Sequence, residues 1–408
     1  GADALFTRPQ TEGTITGQNE NDDDIDEYGA YLQGETTLRQ DLDLVLALRY
    51  DTHNRLDDPE YSPRAALVYK MDESQTLRAT YNRAFSTPTT NNLYLDLLAQ
   101  EGAFAPLEAF TPLLGFSPNV DVRAQGTYRT GFNEGFTFRR NSSDRPMYRT
   151  SFQPYLSSLG MSPGGTGSPV DADGYVNMDD PFVTNVQWGI GRQATLAQFG
   201  PALQTLAPAL IAQQLIAAGM SPADAQAAGE AQAAVVVAAL PSLVPEQLPG
   251  LSNVMAKLNL ETNGFDLVGD AFDVPRASST ITQTLELGYK GILGRKLVVS
   301  ADLYRTDVED FVGPLAVETP NIFLDATTLE GVLGTSFQQA LSDPANAPVA
   351  AVLGALDQVS IPGVSAANNN GTAADELATI FAAGAAQIPF GTVSPEQAYD
   401  PTAVILTY

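Results

Sequence analysis

The chain has 408 residues, with 48 acidic and 21 basic side chains and a formal net charge of -27. That acidic excess argues against nucleic acid as a partner, because meeting phosphates takes clustered Lys and Arg; it suits loops facing water, divalent cations or cationic ligands. Cysteine is absent, which excludes disulfides, thiolate metal sites and a catalytic thiol.

Residues 4–8 read as the end of a strand, followed by a polar loop carrying Asp22, Asp23 and Asp24. In residues 27–38, Tyr28, Ala30, Leu32, Gly34, Thr36 and Leu38 share one face, and Glu27, Tyr31, Gln33 and Glu35 the other. A short turn at residues 39–41 leads into the clearest period of two. Leu42, Leu44, Leu46, Leu48 and Tyr50 face one way there, and Asp43, Arg49, Asp51 and His53 the other. Residues 61–70 form a third such strand, 71–74 a turn, and 75–86 a fourth strand, ended by Pro88 because proline cannot donate to a ladder. Tyr28, Tyr50, Tyr61 and Phe85 sit at the long-loop ends of their strands, where an interfacial aromatic girdle would lie.

Residues 90–278 are too long for an ordinary connection. Their first half is rich in Gly, Pro, Asn and Arg. Residues 194–258 change to Ala, Leu and Gln at helical spacing, with Pro201, Pro222 and Pro241 as helix starts or breaks, so a small insertion of three or so helices is expected. Alternation resumes through Leu285, Leu287 and Tyr289, turns at residues 291–296, and returns through Leu297, Val299, Ala301 and Leu303. A second excursion, 313–400, mixes Ala-rich helical stretches at 328–341 and 373–385 with an Asn-Asn-Asn-Gly loop at 368–371. Residues 403–408 begin another strand.

No stretch approaches the roughly 18 consecutive apolar residues of a transmembrane helix, whereas a barrel strand needs only about 10 alternating ones. In a soluble sandwich the leucine faces would be core; in a membrane barrel they face lipid, and the charged faces line a lumen. Alternation alone does not separate the two. Tight turns at one end and very long loops at the other favour the barrel.

Two sets of residues resemble a family pattern. The first is Ser62-Pro63-Arg64, Tyr69-Lys70, the turn at 71–74, Tyr81-Asn82-Arg83-Ala84-Phe85 and Pro88. The second is Glu286-Leu287-Gly288-Tyr289-Lys290-Gly291, a turn, Tyr304 and Asp310-Phe311. In order, and with short turns where the family has periplasmic ones, these resemble the barrel strands of TonB-dependent receptors, the plugged transporters of Gram-negative outer membranes. The resemblance covers only the strands. It implies an all-β fold: an antiparallel transmembrane β-barrel, part of a 22-stranded one, with long extracellular loops carrying helical insertions. Residues 1–89 would then be barrel strands with short turns, and 90–278 a long extracellular loop with an Ala-rich helical insertion at about 192–260. Residues 279–312 would be a barrel hairpin, 313–400 a second long loop with helices, and 401–408 the start of a further barrel strand.

The same resemblance implies location in the outer membrane of a Gram-negative bacterium and uptake of a scarce nutrient without enzymatic chemistry. Its implied partners are outer-membrane lipid, a TonB-type energy-coupling complex and, on the long loops, a surface lipoprotein or other protein. The plug, the TonB-contacting box and the closing strand of the family have no counterpart, so the chain is expected to be part of a longer protein; open sheet edges are very costly in lipid. Two other functions fit the residues: a barrel-anchored surface or structural assembly component binding a partner through its long loops, and a soluble all-β binding protein with helical insertions. Nothing selects a substrate.

The site residues are few. No Ser-His-Asp, His-Glu-x-x-His or Walker-type arrangement is present. His53, the sole histidine, is either solvent-facing or, with Asp51 and Asp57, a metal or pH-sensing group. Aligned to a calcium loop, Asp171, Asp173, Gly174, Val176, Asn177 and Asp180 take positions three, five, six, eight, nine and twelve, with Pro169 in place of the usual first Asp. The alternative is a solvated acidic turn, and no cofactor other than Ca2+ at this loop is expected. Asp22–Asp24 and Asp57–Asp58 are solvated charge or bridge surface cations. On the barrel reading Arg49, Arg64, Arg78 and Glu286 face the lumen. The arginines there either meet a plug and the substrate path or pair across strands with Asp43, Asp51 or Glu286. Arg129, Arg139, Arg140, Arg145 and Arg149, interleaved with aromatics from Phe132 to Tyr155, form either a ligand-contacting loop or a loop packed on its own rings.

Overall fold

The computed structural model describes residues 1–105, 108, 111, 119–128, 135–294, 296–354, 370 and 372–408. The alternating stretches become strands of one sheet. β1 (Ala2–Thr7), β2 (Ile25–Arg39), β3 (Leu42–His53), β4 (Glu60–Asp72) and β5 (Gln75–Ser86) follow as a meander. The chain then leaves for β6 (Asp96–Gln100), β7 (Val122–Gln125), β8 (Met147–Thr150), β9 (Tyr175–Asn177), β10 (Asn253–Asn259) and β11 (Gly264–Val268). It returns with β12 (Thr280–Leu293) and β13 (Leu297–Glu309), giving the antiparallel order β1-β2-β3-β4-β5-β12-β13.

Register decides the faces, since directly paired residues of antiparallel strands point the same way. Leu44 pairs with Leu67, Leu67 with Ala79, Ala79 with Leu287 and Leu287 with Leu303, so one apolar row crosses five strands. Tyr50 pairs with Tyr61, ring centroids 5.2 Å apart, nearer the long-loop end. These leucines are not a sandwich core: Leu46 is 51 % exposed, Leu287 59 % and Leu303 72 %. The β2–β3, β4–β5 and β12–β13 turns emerge at one end. In the second, Asp72 accepts from the Ser74 amide and hydroxyl at 2.7 Å; in the third, Gly294 adopts φ +59°. The long connections leave the other end. The seven strands form an open sheet, not a closed barrel.

The two long excursions fold together. Strands β14 (Ala316–Val317), β15 (Asn321–Leu324), β16 (Gly391–Thr392) and β17 (Val404–Thr407) follow β13; β15, β16 and β17 pair with strands of the first excursion, and β14 pairs with β17. The result is a six-stranded sheet, β11-β10-β15-β16-β8-β9, and a four-stranded one, β14-β17-β7-β6. Helices α1 (Thr90–Tyr94), α2 (Gln153–Ser158), α3 (Pro181–Ala217), α4 (Pro222–Leu243), α5 (Ala326–Ser342), α6 (Ala347–Leu353) and α7 (Ala374–Ala385) complete the described elements of this part. Trp188, Tyr148, Phe152, Phe337, Phe381 and Phe390, all fully buried, form one core that draws on both excursions.

Two expectations change. Residues 401–408 do not extend the large sheet: β17 runs parallel to β7, and Val404 and Ile405 are fully buried. Its run of consecutive apolar residues, without alternation, is what a strand covered on both faces requires. The helical insertion is one hairpin, not three or so helices. Asp180 caps α3 by accepting from the Phe182 and Val183 amides, with Pro181 at the first helical position. Pro201 and Pro208 lie inside α3 and Pro241 inside α4. Burial of Leu203, Ala207 and Ile211 along α3 offsets the helix-breaking cost, which is about 3 kcal/mol per interior proline. Gly229 lets the helices close: a Cβ there would fall 2.5 Å from the Pro208 carbonyl oxygen.

Candidate functional site

The face of the large sheet opposite the leucines is laced by ion pairs between strands. Arg49 on β3 reaches Asp3 on β1 at 2.9 Å and Asp51 at 2.6 Å. Gly29 on β2 is paired with both aspartates, and its missing side chain leaves room for the guanidinium to cross. The same device recurs on β12. Gly288 is paired with both Arg78 and Asp302, and Arg78 joins Glu286 and comes within 3.9 Å of Asp302. Lys70 meets Asp43 at 2.6 Å, and the Thr37 hydroxyl donates to the same carboxylate at 2.9 Å. Of the four residues expected on a lumen face, Arg78 and Glu286 are brought together and Arg49 is held by aspartates. Arg64 has no ion pair among the described residues and lines a hollow of about 340 Å³ with Gln33, Ser62 and Asn82.

At the long-loop end the sheet is clamped to the domain built by the excursions. Arg55, just after β3, lies with its guanidinium carbon 5.5 Å from the ring centres of both Tyr94 and Tyr128. It also donates to the carbonyls of Asp22 at 2.8 Å and Asp24 at 3.0 Å, so it holds the β1–β2 loop as well. Arg276 sits over Tyr128 at 5.3 Å and pairs with Asp57. Tyr94 is buried, which pushes its phenol well above the usual range. In the β1–β2 loop, Glu20 accepts from the Thr11 hydroxyl, the Thr16 hydroxyl at 2.7 Å and the Thr11 amide at 2.6 Å. These bonds pull its carboxyl down to about 2. Asp23 is buried nearby, and burial raises its carboxyl. Sequence reading misses this clamp because its aromatic and cationic members lie far apart in the chain and share no motif.

His53 is buried rather than solvent-facing: it is 9 % exposed, opposite Glu27, with Nδ1 accepting from the Arg55 amide at 3.0 Å. The aspartates of 171–180 have protein partners. Arg139 bridges Asp171 at 3.1 Å and Asp173 at 3.2 Å, Asn177 accepts from Asn141 at 3.0 Å, and Asp180 caps α3. Among the described residues no three His, Cys, Asp or Glu side chains stand together as metal ligands. Local spacing suggested a cation there; an arginine distant in sequence supplies one. The aromatic-arginine stretch is largely core, because Phe136, Phe138, Tyr148 and Phe152 are buried and Arg149 stacks on Tyr175 at 4.7 Å. Arg140 lies 3.5 Å from Asp270 and Arg145 3.6 Å from Asp179. Arg129 and Phe132 lie outside the described residues, as do Asn368, Asn369 and Gly371 of the polar loop. No helix among the described residues is long and apolar enough to cross a membrane.

Residues 2–112 match the family model for TonB dependent receptor-like β-barrels, over the first of the two stretches that carry the resemblance. TonB-dependent receptors are transporters, not enzymes. Among solved structures, the siderophore receptor PirA from Pseudomonas aeruginosa is 12 % identical with a TM-score of 0.23, over 74 % of this chain and 37 % of that one. The siderophore receptor PirA from Acinetobacter baumannii is 11 % identical with a TM-score of 0.22, over 79 % of this chain and 36 % of that one. At those scores neither structure informs the fold or ligand of this chain. The chain thus spans little more than a third of either receptor's length. No curated protein matches it.

Proposed function

We propose that the chain is part of an outer-membrane TonB-dependent receptor that takes up a scarce nutrient through a plugged barrel, coupled to an inner-membrane energy source. One observation carries this reading. Within and beyond the residues that match the barrel family, a seven-stranded antiparallel sheet exposes leucines on one face and ion pairs on the other. A leucine face left in water would favour aggregation, whereas lipid is its natural solvent. The paired charges opposite would line a wet lumen at little desolvation cost. Strands beyond β1 and β13 would complete the closure that lipid demands. Transport of this kind needs no covalent step; it works by differential binding between gated states. The domain at the long-loop end would select the nutrient, since binding residues concentrate on segments held by rigid scaffolds.

The test is expression of the full-length protein in a Gram-negative host with and without its energy-coupling complex. Outer-membrane fractionation, slower gel migration after boiling and coupling-dependent growth on a limiting nutrient are expected. A soluble, detergent-free monomer would end the reading. A second reading, a barrel-anchored assembly component, is favoured by the way both excursions build one domain with its own aromatic core. A stoichiometric protein partner, with no coupling-dependent uptake, would promote it.

A further inference from the structure

The second half of α3 is apolar on two sides, and the described part of the fold covers only one. α7 meets α3 at Gly191, Thr195 and Phe199. Further along, α3 packs on α4 and buries Leu203, Ala207 and Ile211. On another side Ala202, Leu206, Ala209, Gln213 and Ile216 are all exposed, Leu206 to 64 % and Ile216 to 43 %. At 3.6 residues per turn this row lies roughly 140° around the axis from the buried one. A surface helix places charged and polar residues there. α3 places an apolar row interrupted by one glutamine, and no charged side chain stands between Arg192 and Asp224.

Spacing says what kind of surface covers this row. Its members are separated by four, three, four and three residues. That period of about 3.5 marks the seam of a helix packed lengthwise on another helix. Charge says which helix. The chain carries a net charge of -27, so two copies repel one another except across a neutral surface, and this flank is neutral. A partner that relied on ion pairs would find none to make here. Size agrees. When the row is laid against itself in reverse about Ala209, Ala202 comes opposite Ile216, and Leu206 comes beside Ala212 and Gln213. Each large side chain then meets a small or flexible one, as an interdigitating layer requires.

We propose that this row is an interface between two copies of the chain. They form a two-fold dimer in which α3 packs antiparallel on the α3 of the other copy, with Ala209 at the axis. Such a contact is isologous and closes on itself, so it gives a dimer and no filament. It goes beyond the uptake reading and does not depend on it.

The intact full-length protein tests the proposal, in micelles if it behaves as a membrane barrel and in buffer if it does not, so failure of the uptake reading leaves the test in place. The absence of cysteine permits directed disulfides. Ala209→Cys alone should give a disulfide-linked dimer on mild oxidation. Ala202→Cys and Ile216→Cys should cross-link when mixed, and at least tenfold less when each is oxidised by itself. The control Glu261→Cys, exposed in the β10–β11 turn, should stay uncross-linked. Sedimentation velocity of the unaltered protein should show a concentration-dependent dimer, weakened at least tenfold by combining Leu206→Glu with Ile216→Glu. Both side chains face solvent in the single copy, so far-UV circular dichroism should not change. A protein that sediments only as a monomer, a dimer indifferent to the double change, or cross-linking of 202 to 202 and 216 to 216 overturns the proposal. So does a photoreactive side chain at 206 that links, in cells, to lipid or to a different protein instead of a second copy.

Discussion

Arg49 lies across the bare backbone of Gly29. Its two terminal nitrogens each stand 2.9 Å from an Asp3 oxygen, and a Cβ built on Gly29 would fall 2.3 Å from Nη2. Three strands are tied by one guanidinium because the middle one has nothing in the way.

Gly29→Ala is therefore expected to push aside the Arg49, Asp51 and Asp3 side-chain ends and to cost about 0–1 kcal/mol through the loss of partly exposed ion pairs. Arg49→Ala alone costs about the same, about 0–1 kcal/mol, since it removes the same partly exposed ion pairs. In the double variant the same ion pairs are lost only once, so the two effects fall short of additivity, although the Asp51 and Asp3 carboxylates must still move aside. Denaturant titration of the folded barrel in micelles measures all three.

Arg55→Ala should loosen the junction between sheet and domain. A guanidinium held between two rings contributes about 1–2 kcal/mol where it is desolvated, and Arg55 also holds the carbonyls of Asp22 and Asp24. Faster amide exchange at residues 22–25 and 92–95 is expected, with the leucine row unchanged. Arg55→Lys restores little, because an ammonium cannot stack and fork as a guanidinium does.

Glu20 gives a pH signature. Its carboxyl is lowered to about 2 from an ordinary value near 4.5 by the Thr11 and Thr16 bonds. The contribution to loop order is thus complete above about pH 4.5 and is lost as pH falls through 2. The protection of the Thr11, Glu12 and Gly13 amides, measured as exchange relative to the intrinsic rate at each pH, should be high at pH 4.5 and fall near pH 2. Glu20→Gln should remove that pH dependence.

Ile405 distinguishes the two halves of the fold. It is fully buried on β17, in the four-stranded sheet and not the large one. Ile405→Ala should cost the domain about 2–5 kcal/mol and expose it to protease, while the slow-migrating form of the barrel before boiling persists.

Much of the large sheet was legible because its signal is local. The period of two in residues 42–51 names both faces of β3, and Gly288 to Lys290 sit in a stretch with the same clarity. What escaped was long-range. Nothing near Val404 says that it will lie parallel to Val122, and no local rule tells that α3 will run through Pro201 and Pro208 once α4 packs against it. At the candidate site, face assignment put Arg49, Arg64, Arg78 and Glu286 on one side but left open which arginine, if any, meets Glu286, because that depends on β5 and β12 lying side by side. Arg139 between Asp171 and Asp173 was not, because a calcium-like spacing looks the same whether a metal or a distant arginine fills it.

The absence of cysteine allows the most direct test, since single cysteines can be placed and nitroxide-labelled without a background. Labels at 285, 287 and 303 should collide with oxygen dissolved in the bilayer, and labels at 284, 286 and 302 with a water-soluble nickel chelate. Equal access of both sets to the chelate, or exclusion of both quenchers from the leucine positions, would contradict a lipid-facing row of leucines.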